Sequence, residues 1–280
     1  MIIWLSSYPK SGNTFVRSFL ASYFYTKDGS FNFDLLEKIR QFPDKVLFEN
    51  LAIKTENKDE LAKQFIKIQN EINNRDQGKL RLLKTHSVLR NEHGYLLTDS
   101  NISLGVIYIV RDPRSVIKSY ANHMQITDEE AFDALKSYRY LSGGRGETLM
   151  GDWSSNYQTW KEFKLNDKYL LIKYEDLVNN TKLTFIKILE FIHKVTKSKF
   201  VLDEDKLLKS IDSTKFENLK DLELKNGFSE AVSKNGKKIT FFKYGKKNDG
   251  KNSLSPSLKK KVENFFNKEM IELGYLQNKF

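Results

Sequence analysis

The opening stretch constrains the fold of this chain more than any other. IIWLSS (2–7) is a short apolar run rich in β-branched and aromatic residues, the pattern of a buried strand. Phe15, Val16, Phe19, Leu20, Tyr23 and Phe24 then recur at helical spacing over 14–25. The residues between, YPKSGNT (8–14), must turn the chain from strand to helix.

Three further strands are expected at KLRLLKTH (79–86), SLGVIYIVR (103–111) and YLLIKYEDL (169–177). Polar turns or helical patterns follow each of them, with helices expected over 129–141 and 152–164. Strands alternating with helices predict an α/β fold, a central parallel sheet flanked by helices on both faces. Residues 57–77 are charged and helical in pattern, and read as a lid or an insertion. Residues 225–252, rich in Lys, Gly and Asn, read as a long loop. A last helix is expected over 255–273, with Ser255 as N-cap and Pro256 in the first helical position. Neither an internal repeat nor a linker divides the chain, so residues 1–280 are expected to form one domain.

In open α/β sheets ligands bind beyond the carboxyl ends of the strands, where helix N-termini present free N–H groups and a positive dipole end. YPKSGNT lies at such a place. Ser11, Gly12, Asn13 and Thr14 supply amides, and Gly12 allows close approach. Side chains of Ser11, Asn13 and Thr14 add donors, and Lys10 adds a full charge. The order is not that of a Walker A loop, because Lys10 precedes the glycine and no glycine opens the turn. Taken alone, the turn is equally compatible with ordinary helix capping.

The balance of 47 basic against 36 acidic residues leaves a net charge of +11. That suits an anionic small ligand, an anionic surface or a nucleic acid, and equally a solvated lysine-rich surface. With no cysteine, the chain has no disulfide and no cysteine-based zinc or redox site. Lys10 and Arg17 interrupt the first apolar stretch, and no apolar run approaches the ~20 residues that span a bilayer. A soluble cytoplasmic protein is expected.

Three more stretches matter. LLKTHSVL ends a strand with Lys84, Thr85 and His86. YIVRDPRSVIKSY ends another with Arg111, opens a helix at Asp112–Pro113 and carries Ser119 about two turns along. FFKYGKKNDGKN (241–252) is a basic loop containing glycine. In this order, and with YPKSGNTF, they resemble the cytosolic-type sulfotransferases, which use 3′-phosphoadenosine 5′-phosphosulfate (PAPS) as sulfuryl donor and release PAP. The resemblance runs, with gaps, from residue 2 to the C-terminal helix.

The resemblance implies that Lys10 contacts the bridging oxygen of the phosphosulfate, while Ser11, Gly12, Asn13 and Thr14 wrap the 5′-phosphate. It makes Arg111 and Ser119 the 3′-phosphate clamp, His86 the general base toward an acceptor hydroxyl, and Lys84 a partner of the sulfuryl oxygens. Phe15, Tyr174, Thr214 and Phe216 match residues around the adenine. No metal is implied, and His93, His123 and His193 have no comparable context. The chain departs from the family at Lys243-Tyr244-Gly245, where Arg-Lys-Gly is usual; Lys246 and Lys247 stand next to it, and Gly250 replaces a tryptophan. Animal members usually carry an N-terminal segment that shapes the acceptor pocket, whereas the first strand here begins at residue 2. A phenol, alcohol, sugar or lipid hydroxyl therefore remains open as acceptor.

Two other classes compete. A P-loop small-molecule kinase would need a lysine after the glycine, as in GxxxxGK[ST], and this chain lacks such a run. A basic nucleic-acid-binding protein would cluster its charge on one face, and the lysines here are scattered, though dense over 234–251.

Overall fold

A computed structural model describes residues 1–278, apart from 51–57, 76–77, 92, 144–145, 235–236, 244 and 246–249. The chain runs β1 (Ile2–Ser7), α1 (Asn13–Tyr25), α2 (Lys45–Asn50), α3 (Lys58–Arg75), β2 (Arg81–Thr85) and β3 (Ser103–Val110). Next come α4 (Pro113–Met124), α5 (Asp128–Lys136), the hairpin β4 (Tyr140–Gly143) and β5 (Gly146–Leu149), and α6 (Trp153–Trp160). β6 (Tyr169–Lys173) completes the sheet and leads into α7 (Tyr174–Asn179), α8 (Thr181–Thr196), α9 (Glu204–Ser213) and α10 (Phe216–Asn226). A two-residue hairpin, β7 (Ser233–Lys234) and β8 (Lys237–Lys238), precedes α11 (Gly250–Ser253), α12 (Pro256–Phe265) and α13 (Asn267–Glu272).

Four strands pair in the order β2-β1-β3-β6, all parallel. The side-chain period of two sorts β1 into two cores. Ile2 and Trp4 join Leu83, Val106, Tyr108, Trp160 and Phe266 on one face. Ile3 and Leu5 join Ile107, Ile109, Phe19, Phe185 and Ile188 on the other. Both faces are covered, which is why the strands read as continuous apolar runs. Trp4 is wholly buried, worth about 1.5–3 kcal/mol for a large apolar side chain, and its Nε1–H donates to Ser103 Oγ at 2.8 Å. The chain leaves β1 toward β2 on one side and returns to β3 on the other. Strand order therefore reverses at the carboxyl edge of β1, where such sheets take ligands.

Several expected boundaries change. The fourth strand stops at Lys173, and Tyr174–Leu177 is the first part of α7. The helix expected over 129–141 ends at Lys136, and residues 140–141 join β4. α6 ends at Trp160 and tightens into a 3-10 turn, Lys161–Asn166. Ser255 caps the C-terminal segment and Pro256 follows it as expected, but Phe266 divides that segment into two helices. Within 225–252 the chain forms β7, β8 and α11.

α3 is not a lid. Ile68 and Ile72 sit in the core beside Trp4, and the wholly buried Gln69 donates to the Leu97 carbonyl at 2.6 Å. Thr98 Oγ1 donates to Gln69 Oε1 at 2.6 Å, so a buried polar chain ties α3 to the sheet. Among the described residues, no helix is long and apolar enough to cross a membrane.

Candidate active site

The turn after β1 is bent by two left-handed residues, Lys10 at φ +66° and Gly12 at φ +102°. A Cβ on Gly12 would lie 2.6 Å from the Tyr174 ring, so only glycine fits there. Gly12 is the N-cap of α1, and no side chain caps that helix. Asn13 Nδ2 donates back to the Leu5 carbonyl at 3.0 Å and to Ser7 Oγ at 3.2 Å, which fastens the turn to β1. Ser11 Oγ, Asn13 Oδ1 and Arg111 Nε are buried without a hydrogen-bond partner. Buried polar atoms normally find partners, so this concentration beside an uncapped helix start fits the binding of an anion.

Asp112 caps α4 by accepting from the Arg114 N–H at 2.9 Å, which puts Arg111 at the end of β3 facing the turn. Arg111 Nη1 donates to the Lys10 carbonyl at 3.1 Å, and its guanidinium lies 3.9 Å over the Tyr174 ring. The Lys10 ammonium sits 3.5 Å over the Phe241 ring. Burial, then the Arg111 cation, push Lys10 down to about 7. A bound anion would raise it again.

His86 follows the last residue of β2. Its Nδ1 lies 2.8 Å from the Ser7 carbonyl, an acceptor, so Nδ1 carries the proton and Nε2 keeps its lone pair. Burial and the neighbouring Lys84 push the imidazole down to about 3, which keeps it neutral at ordinary pH. Lys84 and Arg17 are 6% and 2% exposed and share one counter-ion, Glu230. Lys84 Nζ is 3.3 Å from Glu230 Oε2, and Arg17 Nη1 contacts Oε1. Burial alone would raise the Glu230 carboxyl, but Lys84 and Arg17 together hold it well below the usual carboxylate range.

Lys10, Gly12, Asn13, Arg17, Lys84, His86, Arg111 and Glu230 all line one cavity of about 920 Å³. Phe15 and Thr14 line it from α1, and Ser119, Asn122 and His123 line it from α4. Phe216, Phe241, Lys243 and Gly245 form the far wall. Glu223 accepts from the Phe241 and Phe242 N–H groups at 2.7 and 2.9 Å, which fixes Phe241 beneath Lys10. Gly245 sits at φ +52°, and a Cβ there would lie 2.8 Å from the Phe216 ring. Among the described residues, no group of His, Asp and Glu could hold a metal ion.

A model of the sulfotransferase domain family matches residues 2–274. This chain belongs to the sulfotransferase domain family. Sulfotransferase 1A1 of Canis lupus familiaris is 26% identical over 226 residues, 79% of this chain and 67% of that protein. Sulfotransferase 2A1 of Macaca fascicularis is 24% identical over 173 residues, 60% of this chain but only 57% of that relative's length. A mouse sulfotransferase solved with PAP superposes with a TM-score of 0.60 at 18% identity, covering 96% of this chain and 84% of the other. A retinol dehydratase solved with retinol and PAP gives 0.61 at 14% identity, covering 100% and 83%. At these identities the superpositions establish the shared fold.

Within this sulfotransferase domain, most residues singled out from the sequence meet at the cavity. Lys10, Gly12, Asn13, Thr14 and Phe15 line it from the turn; Lys84, His86, Arg111 and Ser119 from the strand ends and α4; Tyr174, Phe216, Lys243 and Gly245 from the opposite side. Thr214 does not. It ends α9, is fully buried, and donates its hydroxyl to the Ser210 carbonyl at 2.7 Å. Ser11 is wholly buried and is not among the residues that line the cavity. The Asn13 amide donor is spent on β1 and is not available to a ligand. Tyr244, Lys246 and Lys247 lie outside the described residues.

The sequence reading missed Arg17, Asn122, His123 and Glu230. For His123 a signal existed: Asn122 and His123 stand three and four residues after Ser119, on the same helical face. His123 Nδ1 is buried without a partner, and burial, then Lys10, push the ring down to about 3. His193 does lie in the last turn of its helix, as its position suggests. Glu230 carried no local signal, because its partners are 146 and 213 residues away.

Proposed function

We propose that residues 1–280 form one cytoplasmic sulfotransferase domain. It transfers a sulfuryl group from PAPS to a hydroxyl of a small-molecule, sugar or lipid acceptor and releases PAP. The observation that carries this reading is the uncapped start of α1, ringed by Lys10, Lys84 and Arg111, on the same cavity as a histidine whose Nε2 keeps its lone pair. The orphaned Ser11, Asn13 and Arg111 atoms and the glycine-only approach at Gly12 fit a bound phosphosulfate.

In this reading the turn and Lys10 hold the 5′-phosphosulfate. Arg111 and Ser119 hold the 3′-phosphate, with Lys243 nearby. Phe15, Tyr174 and Phe216 flank the adenine. His86 Nε2 takes the proton of the acceptor hydroxyl as its oxygen bonds to sulfur. The bond from sulfur to the bridging oxygen breaks, and its electron pair stays on the 5′-phosphate, where Lys10 offsets the charge. Lys84 faces the sulfuryl oxygens. The bound donor's negative charge lifts His86 from its low free-state basicity toward a useful range.

Thermal unfolding with PAP, ATP-Mg²⁺ or an oligonucleotide tests the class. A ligand at a hundredfold its Kd stabilises by about 2.7 kcal/mol. PAP is expected to raise the Tm and the other two to leave it unchanged. Stabilisation by ATP-Mg²⁺ or by the oligonucleotide, without PAP, would replace this reading with a kinase or a nucleic-acid binder. A transfer assay with labelled PAPS over phenols, alcohols, sugars and lipids then identifies the acceptor.

A further inference from the structure

The cavity contains a carboxylate where the proposed chemistry requires room for an anion. Among the described residues, Glu217 and Glu230 are the acidic side chains that line it, and Glu230 forms ion pairs with two buried cations. Lys84 and His86 line the same cavity, and the Lys84 charge acts directly on the imidazole. A sulfuryl group placed for attack by a hydroxyl bonded to His86 must therefore lie beside Lys84, in the field that Glu230 occupies. The pairing is closely held. Arg17 Nη2 also donates to the Leu36 carbonyl at 2.8 Å, which fixes the guanidinium. Glu230 itself sits on a short turn closed by the Ala231 N–H on the Phe228 carbonyl at 3.1 Å.

We propose that Glu230 is a specificity-determining residue: its carboxylate occupies the cations that the donor's sulfuryl group needs, so it weakens the binding of sulfuryl-bearing ligands and leaves PAP binding nearly unchanged. This rests on the donor assignment above. Two anions cannot share Lys84 at close range without repulsion, so a sulfuryl group must displace Glu230 from it. PAP lacks that group and lets the pair persist. Once transfer moves the sulfuryl group to the acceptor, the carboxylate regains Lys84 and drives out the sulfate ester. The same carboxylate keeps free inorganic sulfate from settling on Lys84 and Arg17.

Calorimetry on the full chain, without acceptor, tests the idea with PAPS and PAP on the wild type, Glu230→Gln and Glu230→Asp. Glu230→Gln should tighten PAPS about tenfold, the scale of one charge-assisted bond no longer opposed, and move PAP by less than about twofold. Inorganic sulfate titrated into the PAP complex should bind more tightly to Glu230→Gln than to wild type. Glu230→Asp keeps the charge and should keep the wild-type ratio of PAPS to PAP affinity. An unchanged ratio in Glu230→Gln, equal tightening of both ligands, or loss of PAP binding would overturn the proposal, the last by making Glu230 a merely structural partner of Arg17. Failure of the wild type to bind PAP is a separate result, and it would overturn the donor assignment itself.

Discussion

The cavity has two sides built in different ways. On the sheet edge, the turn 8–14, the end of β2 and the end of β3 are held by strand pairing and by short contacts such as Asn13 to Leu5 and Arg111 to Lys10. On the opposite side, Phe228, Phe241 and Phe242 are held by contacts among their rings and by Glu223 accepting from two N–H groups. The edge supplies most of the positive charge and the base. The far wall supplies rings and a carboxylate, Glu230, that pairs with cations of the edge. In the proposed reading the difference separates chemistry from adjustment: the reacting groups sit at the sheet edge, while Glu230 on the opposite side would tune which anion stays.

Substitutions sharpen that division. The largest effect is expected at the edge. His86→Asn should slow transfer to an unactivated alcohol by about 10²–10⁴-fold, the usual weight of a positioned general base, with PAP affinity retained. The loss should shrink with an acidic phenol, already partly ionised. Equal losses on both acceptors in steady-state assays would make His86 a positioning group.

Lys10→Ala is expected next, lowering turnover by about 10²–10³-fold, as for a lost oxyanion donor, with partial survival of PAP binding through Arg111 and the turn. Near-normal turnover would place the leaving-group charge elsewhere and break the comparison.

The protonation of Lys10 sharpens it further. Its folded value is depressed to about 7 by burial and by Arg111. Just below pH 7, and above the second phosphate pKa of about 6, the free site and the ligand are both largely charged, so PAP affinity should be nearly level. Above pH 7 the site must take up a proton to bind, and affinity should fall by up to about tenfold per pH unit. Lys10→Arg stays charged and should flatten the profile from pH 7 to 9. A sloping profile in that variant would assign the titration to another group.

The smallest effects distinguish the two walls directly. Arg111→Ala should weaken PAP by roughly 1.5–3 kcal/mol, the range for a charge-assisted bond. It should weaken AMP by less, though not by nothing, because Arg111 also braces the Lys10 carbonyl. Lys243 is exposed and bonded to Asn122 at 2.8 Å, so Lys243→Ala should cost PAP no more than about 1 kcal/mol. A larger loss at Lys243 than at Arg111 by calorimetry would reverse the ranking of the walls.

The sheet was legible because its signals are local. The apolar run of 2–7, the helical spacing after it and the glycine between them need only neighbouring residues to be read. Asp112–Pro113 and Ser255–Pro256 announced helix starts for the same reason. Boundaries failed where tertiary packing overrode pattern. Tyr174 looked like the continuation of an apolar strand, yet it opens α7, where its ring meets Gly12 and Arg111. The charged segment around α3 looked detachable, yet Gln69 anchors it in the core.

By itself the sequence determined the strand-turn-helix at the carboxyl edge of β1 and the order of the motifs that meet at the cavity. These depend on backbone conformations and periodicities set within a few residues. Only the tertiary structure decided which charges meet. Arg17, Lys84 and Glu230 are far apart in the chain and become one cluster through the packing of α1, β2 and the turn that carries Glu230. Ionic pairing depends on distance and on exclusion of water, and neither is written in the spacing of residues along a chain.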